Sequence, residues 1–255
     1  MVKLAEVRIR PEPYYRRSAV ESGLKALGYS LGRTGAPRGP QDVLCLWGRK
    51  HGQDDKDATL WEQRGGKVLV LENGYLAKVD KTMYAVSLGQ HHTGGPVGDE
   101  ARFWQLGFEP RPWWNAEDGH MLVCGQRGIG SPVMASPPQW AEKMAKILEK
   151  RWPTRLRLHP GNHAPKVPIE RDLEGARACV VWSSNAGIKA LIAGYPVVYH
   201  APHWICAEGA CRGVNVLGYG DASRLAALQR MAWGQWSVAE IETGEPFARL
   251  LEGAC

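Results

Sequence analysis

The residues with the clearest chemical meaning form a short polar stretch in the second half of the chain. An apolar run at residues 179–182 is followed by Ser183, Ser184 and Asn185, and a helical pattern then begins. A helix that starts directly after a buried strand presents backbone N–H groups and the positive end of its dipole, which favour an anion such as phosphate. Lys189, one turn later, adds a positive charge. Capping of the helix by one of the preceding side chains is the alternative interpretation.

A glycine-rich loop follows another apolar run further upstream. Residues 121–125 have the pattern of a strand, and Gln126, Arg127 and Gly128 come directly after it. Glycine lets the backbone approach a ligand closely, and the glutamine and arginine side chains are hydrogen-bond donors. The loop matches neither a Walker loop nor a GxGxxG fingerprint, so by itself it indicates only close contact with a ligand.

A third strand pattern ends in a histidine. Residues 155–158 include Arg157, and His159 and Pro160 follow, with the proline stopping the strand. Because the carboxyl ends of parallel strands meet at one edge of a sheet, we expect the three loops to lie together. The sequence therefore predicts a site for a phosphate-bearing ligand at this edge.

In their order and spacing, these motifs resemble the donor-binding half of GT-B glycosyltransferases, above all the capsular-polysaccharide (Kdo) transferase type. The likeness covers residues 121–203. It implies a GT-B-like α/β fold, with two Rossmann-like halves and mostly parallel sheets around a central cleft. It also implies a nucleotide-sugar, such as a UDP-sugar, as co-substrate. The donor-binding residues that it implies are Gln126, Arg127, Gly128, Arg157, His159, Ser183, Ser184, Asn185 and Lys189.

A second resemblance covers other parts of the chain. Residues 14–28, 71–76, 84–92 and 231–247 look like segments of uncharacterised glycosyltransferase-like proteins encoded by phages. Some phage glycosyltransferases attach sugars to hydroxymethylated pyrimidines, such as 5-hydroxymethylcytosine, in DNA. The resemblance therefore implies double-stranded DNA as the acceptor. Transfer to a surface polysaccharide and a non-catalytic nucleotide- or nucleic-acid-binding module remain alternatives.

The charge of the chain fits a polyanionic partner. Its formal net charge is +6 and its pI is near 9.0, which favours attraction to polyanions at low salt. Basic residues concentrate early in the sequence, and we expect Arg16, Arg17 and Lys25 to contact nucleic acid. Trp113 and Trp114 are candidates for stacking on a base or a sugar ring. A solvated basic face and packed tryptophans are the ordinary alternatives.

The catalytic residues are predicted from two loops of the first half. Glycosyl transfer with inversion needs a carboxylate or a histidine to take the proton of the acceptor. Glu72 follows the strand pattern of residues 67–71 and is the first candidate, and His91 and His92 follow the pattern of residues 83–87. Helix capping by Glu72 and an ordinary surface histidine are the alternatives.

Several classes of protein are disfavoured. The chain contains no apolar run of eighteen residues and does not begin with the apolar segment of a signal peptide, so we expect a cytoplasmic protein without a membrane partner. Six scattered cysteines fit a reduced compartment, and their spacing does not favour zinc. The sequence also lacks a DxD-type motif, so no bound cofactor or metal is expected. A monomer or a small homo-oligomer is expected.

The alternation of strand and helix patterns predicts a mostly parallel sheet with helices on both faces. We expect an acceptor-side domain over residues 1–115 and a nucleotide-sugar domain over residues 116–255, with a hinge at residues 110–118. Helical patterns over residues 222–233 and 237–251 are expected to close the second domain, with a crossing of the last helix back to the first domain as the alternative.

Overall fold

The computed structural model describes residues 2–76, 82–114, 116–159, 161, 167–213 and 221–253, with only the backbone described for Asp221 and Ala222. Pro160 of the predicted histidine–proline motif and Cys255 lie outside these residues. The chain divides into two compact units. Unit 1 comprises Met1–Gly98, Gly130–Val133 and Arg230–Cys255, and unit 2 comprises Asp99–Ile129 and Met134–Gln229.

Strands and helices alternate along the chain. The strands are β1 (Leu4–Arg8), β2 (Ser30–Leu31), β3 (Val43–Trp47), β4 (Lys67–Asn73), β5 (Met83–Leu88), β6 (His120–Cys124), β7 (Thr154–Arg157), β8 (Ala176–Val181), β9 (Val197–Tyr199), β10 (Cys211–Arg212) and β11 (Gln235–Ser237). The α-helices are α1 (Arg17–Ala26), α2 (Gln53–Gln63), α3 (Ala101–Gln105), α4 (Trp140–Leu148), α5 (Ile169–Leu173), α6 (Asn185–Ile192), α7 (Asp221–Trp233), α8 (Val238–Thr243) and α9 (Glu245–Glu252). A short 3-10 helix spans Ala207–Gly209.

The two units differ from the predicted domains. The proposed hinge at residues 110–118 lies inside unit 2, where the backbone N–H groups of Arg111 and Trp114 donate to the carbonyl oxygens of Ile192 and Gly194. The chain from Arg230 onward belongs to unit 1. Helices α8 and α9 therefore belong to unit 1, so the C-terminal segment crosses back to the first half, as considered for the last predicted helix, instead of closing the second half.

The sheet of unit 1 has the order β11-β5-β4-β3-β1-β2. Strands β1 to β4 pair in parallel, whereas β5 is antiparallel to β4 and β11 is antiparallel to β5. Strands β3 and β4 are apolar on both faces, as expected for strands covered by helices on both sides. The antiparallel direction of β5 carries its end to the opposite edge of the sheet from the carboxyl ends of β1, β3 and β4.

Helix α1 packs closely against the C-terminal helices on one face of this sheet. Val20 and Leu24 of α1 join Ile241 of α8 and Phe247 of α9 in one buried cluster. Gly23 is the point of closest approach, since a Cβ atom there would lie 2.0 Å from the carbonyl oxygen of Ile241. On the other face, Ala58 and Trp61 of α2 pack against β3 and β4.

The sheet of unit 2 is parallel throughout its paired strands, in the order β10-β9-β8-β6-β7. In chain order this is the doubly wound arrangement 2-1-3-4-5, in which the direction of winding reverses between the first and third strands. Here those strands are β6 and β8, and ligands bind such sheets outside the carboxyl ends at this reversal. With the sheet of unit 1, this confirms the predicted α/β fold with mostly parallel sheets.

The helices of unit 2 fix the strand ends that border this point. Ala141, Ala145 and Leu148 of α4 pack on one face of the sheet, against a cluster that includes Val123 of β6 and Val180 of β8. Helix α6 contacts β8 and β9. No helix in the described part of the chain is both long and apolar enough to cross a membrane.

Candidate functional site

A cavity of about 670 Å³ opens at the carboxyl ends of the strands of unit 2. Its lining includes Gly125 and Arg127 after β6, His159 after β7, and Ser184 and Lys189 at the start of α6 and within it. The three loops singled out in the sequence therefore meet at one cavity, at the winding reversal between β6 and β8. Their role in binding stays a prediction.

The start of α6 combines capping with a position on the cavity wall. The Ser184 hydroxyl oxygen accepts a hydrogen bond from the backbone N–H of Ala186 at 3.2 Å, and the Ser184 carbonyl accepts from Gly187 at 3.0 Å. Ser184 is thus the N-cap, and Asn185 and Ala186 line the cavity beside it. The cap takes up one of the first N–H groups, while the positive end of the helix dipole still faces an anion bound there.

Gln126 and Ser183 hold two of the loops together. The side-chain oxygen of Gln126 accepts from the backbone N–H of Ser183 at 3.1 Å, and its amide donates to the Ser183 hydroxyl at 3.2 Å. Ser183 is buried and is not among the residues that line the cavity. These two residues therefore fix the spacing of the loops after β6 and β8, a role that neither motif alone revealed.

His159 offers a hydrogen-bond donor to the cavity. Its Nδ1 accepts from the backbone N–H of Gly161 at 3.0 Å, which leaves the proton of the neutral ring on Nε2. Partial loss of hydration on the cavity wall, and secondly the positive charge of Arg127, lower the pKa of His159 below its usual value. Near neutral pH the ring is therefore a neutral donor rather than a cation.

The positive charge of the cavity comes mainly from Arg127 and Lys189. Arg157 also lines the cavity, but its guanidinium forms an ion pair with Asp172 and donates to the carbonyl oxygen of Val167 at 2.6 Å. Its charge is therefore largely offset. Arg127 and Lys189 both line the cavity and have exposed side chains.

A second, smaller cavity of about 280 Å³ adjoins the first and shares Gly125, Arg127 and His159 with it. Gln126 lines this smaller cavity, and so does Trp140, the first residue of α4. The Trp140 ring centre lies 5.8 Å from that of Trp182. An aromatic wall beside an anion site suits a flat ring joined to a phosphate. Trp140 was not among the predicted site residues, although its position at the start of the helix after the glycine-rich loop was a signal in the sequence.

Gly128, the remaining predicted donor residue, shapes the loop instead. It has a φ of +62°, in the region that favours glycine, and it lines neither cavity. A Cβ atom there would also lie 3.1 Å from the carbonyl oxygen of Ser136.

Glu72 lies where the sequence placed it, at the carboxyl end of β4 in unit 1. Its side chain is half-buried and lies beside Gly48, the residue that follows β3. If Gly48 carried a Cβ atom, that atom would lie 3.4 Å from Oε1 of Glu72. The Cε atom of Lys50 lies 3.8 Å from the same point. A carboxylate at the carboxyl edge of parallel strands is positioned as a proton acceptor would be in an α/β enzyme.

His91 and His92 are less suited to proton transfer. They follow β5, whose antiparallel direction places its end opposite the edge that carries Glu72. The two rings pack together with Tyr75, at 5.4 and 5.3 Å from its centre. Burial lowers the pKa of His91 to about 4, and its Nδ1 has no hydrogen-bond partner within the described residues. His91 is thus a neutral, packed side chain with weak basicity.

The predicted nucleic-acid residues fall in both units. In unit 1, Arg16 and Lys25 are exposed around α1, and Arg17 pairs with Glu21, with Nε and Oε1 2.5 Å apart. In unit 2, the Arg224 guanidinium lies 4.1 Å from the centre of the Trp113 ring and covers one face of it.

Trp114, its neighbour in unit 2, is 48% exposed. Of the two tryptophans, Trp114 is therefore the better placed to stack on a ligand, because no such cation covers its ring in the described structure. Neither role is tested by the geometry alone.

A metal site is not evident in the part of the chain that the structure describes. No group of three or more histidine, cysteine or acidic side chains there could hold a metal ion. Among the cysteines that the structure describes, Cys124 lines the cavity, and its Sγ atom lies 3.8 Å from that of Cys179, with no disulfide between them.

Two solved structures are similar to the chain as a whole. The first is Thermosulfurimonas dismutans KpsC, beta Kdo 2,7 transferase, with a TM-score of 0.52 at 12% sequence identity over 96% of this chain and 99% of that one. The second is Thermosulfurimonas dismutans KpsC, beta Kdo 2,4 transferase, with a TM-score of 0.51 at 14% identity over 89% and 90% of the two chains. No protein-family model and no curated protein sequence matches the chain. At these identities the similarity establishes the fold.

Proposed function

We propose that the chain is a glycosyltransferase that takes a sugar from a nucleotide-sugar bound in the large cavity of unit 2. The observation that carries the proposal is the meeting of Arg127, His159, the start of α6 and Lys189 at the winding reversal of a doubly wound sheet. Such a point binds nucleotides in many α/β proteins. The two similar structures, both named as transferases of the sugar Kdo, support the same activity.

The cavity residues account for the electrostatic part of the reaction. As the glycosidic bond to the donor breaks, negative charge grows on the leaving phosphate. Lys189, Arg127 and the dipole of α6 would stabilise that charge, and the neutral His159 would donate a hydrogen bond to a phosphate oxygen. Asn185, on the cavity wall, would add a further donor. Trp140 would contact the nucleotide ring in the adjoining cavity.

Removal of the acceptor proton is proposed for Glu72. Glu72 lies at the end of a parallel strand of unit 1, and its side chain is half-buried. Such a carboxylate is only partly hydrated, yet an acceptor hydroxyl can still reach it, and both properties suit a general base. His91 and His92 are second candidates, and the low pKa of His91 argues against it as the main base. The resulting reaction needs no metal ion, because the cationic side chains and the helix dipole offset the charge of the leaving group.

For the acceptor, we propose a 5-hydroxymethylpyrimidine in double-stranded DNA. The net charge of +6 and the exposed Arg16 and Lys25 support this assignment. A growing surface polysaccharide is the second candidate acceptor, which the resemblance of the sequence to capsular-polysaccharide (Kdo) transferases implies; the two similar structures are likewise named as Kdo transferases. The two acceptors differ in kind, so a single screen separates them.

The test is an activity screen with the purified chain. It combines UDP-, GDP-, CMP- and dTDP-sugars with DNA that contains 5-hydroxymethylcytosine or 5-hydroxymethyluracil, and in parallel with short oligosaccharides that end in an acidic sugar. Mass spectrometry of nucleosides and of oligosaccharides reads the products. We expect one sugar to be added to one acceptor class, and this result would also identify the donor.

Variants then connect the activity to the site. Lys189→Ala should weaken binding of the donor nucleotide about tenfold, the effect of losing one charge-assisted contact. Lys146→Ala is the matched control, since Lys146 is an exposed lysine of α4 that lines neither cavity. Equal affinities for both variants would contradict the proposed donor site. Absence of nucleotide binding and of product, with DNA binding retained, would instead favour a non-catalytic nucleic-acid-binding module.

A further inference from the structure

Unit 1 contains a separate cavity of about 490 Å³ at the carboxyl ends of β1 and β2. Four arginines line it, together with one acidic residue, Glu21; the arginines are Arg8, Arg10, Arg17 and Arg33. We propose that this cavity, here called the arginine pocket, binds phosphate groups of a DNA strand. The proposal concerns binding by unit 1, so it holds whether or not the cavity of unit 2 binds a nucleotide-sugar.

Two of the arginines are held in place by carboxylates. The Nε atom of Arg8 lies 2.6 Å from the buried carboxylate of Glu6, and another nitrogen of the same guanidinium pairs with Asp57. Arg17 pairs with Glu21 along α1. These ion pairs orient the two arginine side chains but offset their charge. Arg8 and Arg17 therefore contribute mainly a fixed wall and oriented N–H groups to the pocket.

The other two arginines supply positive charge that no carboxylate among the described residues pairs with. Arg10 and Arg33 are exposed, and neither forms an ion pair with a carboxylate among the described residues. Two such guanidiniums on the wall of one pocket favour an oxyanion, because the fork of each guanidinium matches two oxygen atoms of a phosphate.

The loop that carries Arg33 is anchored to β1. The backbone N–H groups of Thr34 and Gly35 each donate to Oε2 of Glu6 at 2.9 Å. Burial alone would raise the pKa of Glu6, but these two hydrogen bonds and the Arg8 guanidinium outweigh it and lower the pKa. The carboxylate therefore stays ionised and keeps the loop, and with it Arg33, beside the pocket.

An exposed aromatic ring at the same place favours a nucleic acid over a free phosphate compound. Tyr14 is 58% exposed, and the guanidinium of Arg10 lies 5.7 Å from the centre of its ring. Arginines that bind the backbone next to an aromatic ring that can stack on a base form the usual surface for a nucleic-acid strand. The next tyrosine is different, because Tyr15 stacks on Trp47 in the core with ring centres 3.8 Å apart.

The test measures DNA binding as a function of salt. A fluorescently labelled DNA duplex and its separate strand are titrated with the wild-type chain, Arg33→Ala and Arg10→Ala, and binding is followed by anisotropy. Each loss of one phosphate contact should weaken binding about five- to tenfold at low salt. It should also reduce the slope of log K against log salt by about 0.9 for the duplex and about 0.7 for the single strand.

Arg64→Ala is the matched control, because it removes the same charge from an exposed site of unit 1 at the end of α2, away from the pocket. It should leave the slope unchanged. If Arg33→Ala behaves like Arg64→Ala, the attraction reflects net charge alone and the arginine pocket is not a site. If inorganic phosphate binds in an Arg33-dependent way but DNA does not, the assignment to a DNA strand is overturned. Lys146→Ala, the control at an exposed lysine of unit 2, should keep full DNA affinity, and donor-nucleotide binding is measured separately, so a failure of the donor site is distinguished from a failure of the arginine pocket.

Discussion

Replacing Gly23 with alanine should destabilise unit 1, although alanine is the better helix former. Gly23 lies in the middle of α1, where it faces α8 and α9. A Cβ atom there would lie 2.0 Å from the carbonyl oxygen of Ile241, 2.9 Å from Cε2 of Phe247 and 3.1 Å from the backbone nitrogen of Gly244. The first of these contacts is with backbone, which cannot rotate away.

The size of the effect follows from two opposing contributions. Alanine in place of glycine in a helix interior favours the helix by about 1 kcal/mol. A carbon atom approaches a carbonyl oxygen to roughly 3.3 Å, so α8 would have to move away by more than about 1 Å. A gap of that size removes a quarter to a half of the dispersion energy along the interface, and overpacking of a core typically costs about 1–3 kcal/mol or more. Because Ile241 and Phe247 are both fully buried, we expect the upper end, and a net loss of about 2 kcal/mol.

The assay is urea unfolding followed by tryptophan fluorescence, with thermal unfolding as a second measurement. A loss of about 2 kcal/mol corresponds to a decrease in Tm of roughly 4–8 °C for a chain of this size. Ser22→Ala is the matched control, since Ser22 is exposed in the same helix and should gain slightly in stability. If Gly23→Ala is as stable as Ser22→Ala, the close packing of α1 against α8 is not present in the protein.

Three further outcomes are expected. Gln126→Leu removes both hydrogen bonds to Ser183 and should weaken nucleotide binding about tenfold by calorimetry with little change in Tm; unchanged affinity would show that the two loops are held in another way. The pKa of His91 is about 4 in the folded chain and near 6.5 in the unfolded chain, so between these pH values the unfolded state binds more protons. The free energy of unfolding should therefore fall as the pH drops from 6.5 toward 4, by up to about 3 kcal/mol. His91→Phe should flatten that decline in urea unfolding at pH 7 and pH 4.5, and an identical decline would contradict the buried neutral state. The hydrogen bond with the Cys124 thiol, and secondly burial, raise the pKa of Cys179, so the native chain should be alkylated at half-buried Cys211 well before Cys179, as peptide mass spectrometry can measure.

The sequence predicted most of the strands because their signal is local. Strand β3 is apolar over its whole length, and β4 and β8 each contain a run of four apolar, buried residues, as expected for strands that are covered on both faces. The sequence did not predict that β5 is antiparallel to β4, because an apolar run does not show the direction of its strand. The connection from β4 was the available signal, since a parallel partner needs a crossover of a dozen or more residues and only nine residues separate Asn73 from Met83.

For the candidate site, the sequence predicted which residues lie at the strand ends but not which side chains they contact. Motifs at the ends of β6, β7 and β8 indicated Arg127, His159 and Lys189, because parallel strands bring their carboxyl ends together. The partners of side chains were not predictable, since they depend on contacts between distant residues. Arg157 forms an ion pair with Asp172 from the next helix, and Ser183 forms hydrogen bonds with Gln126, fifty-seven positions away in the sequence. Neither interaction can be predicted from a local sequence pattern.

The return of the chain to unit 1 affects the order in which the protein can fold during synthesis. Strand β11 pairs with β5, with Gln235 opposite Ala85, and α8 and α9 cover Val20 and Leu24 of α1. While the ribosome adds about 150 residues between these partners, at roughly 5–20 residues per second, the apolar surface of α1 and β5 that α8 and α9 cover stays exposed. Unit 2 is almost continuous in sequence and can form during that interval. We therefore expect chaperones that recognise exposed apolar surface to bind the nascent first half until the last helices have left the exit tunnel.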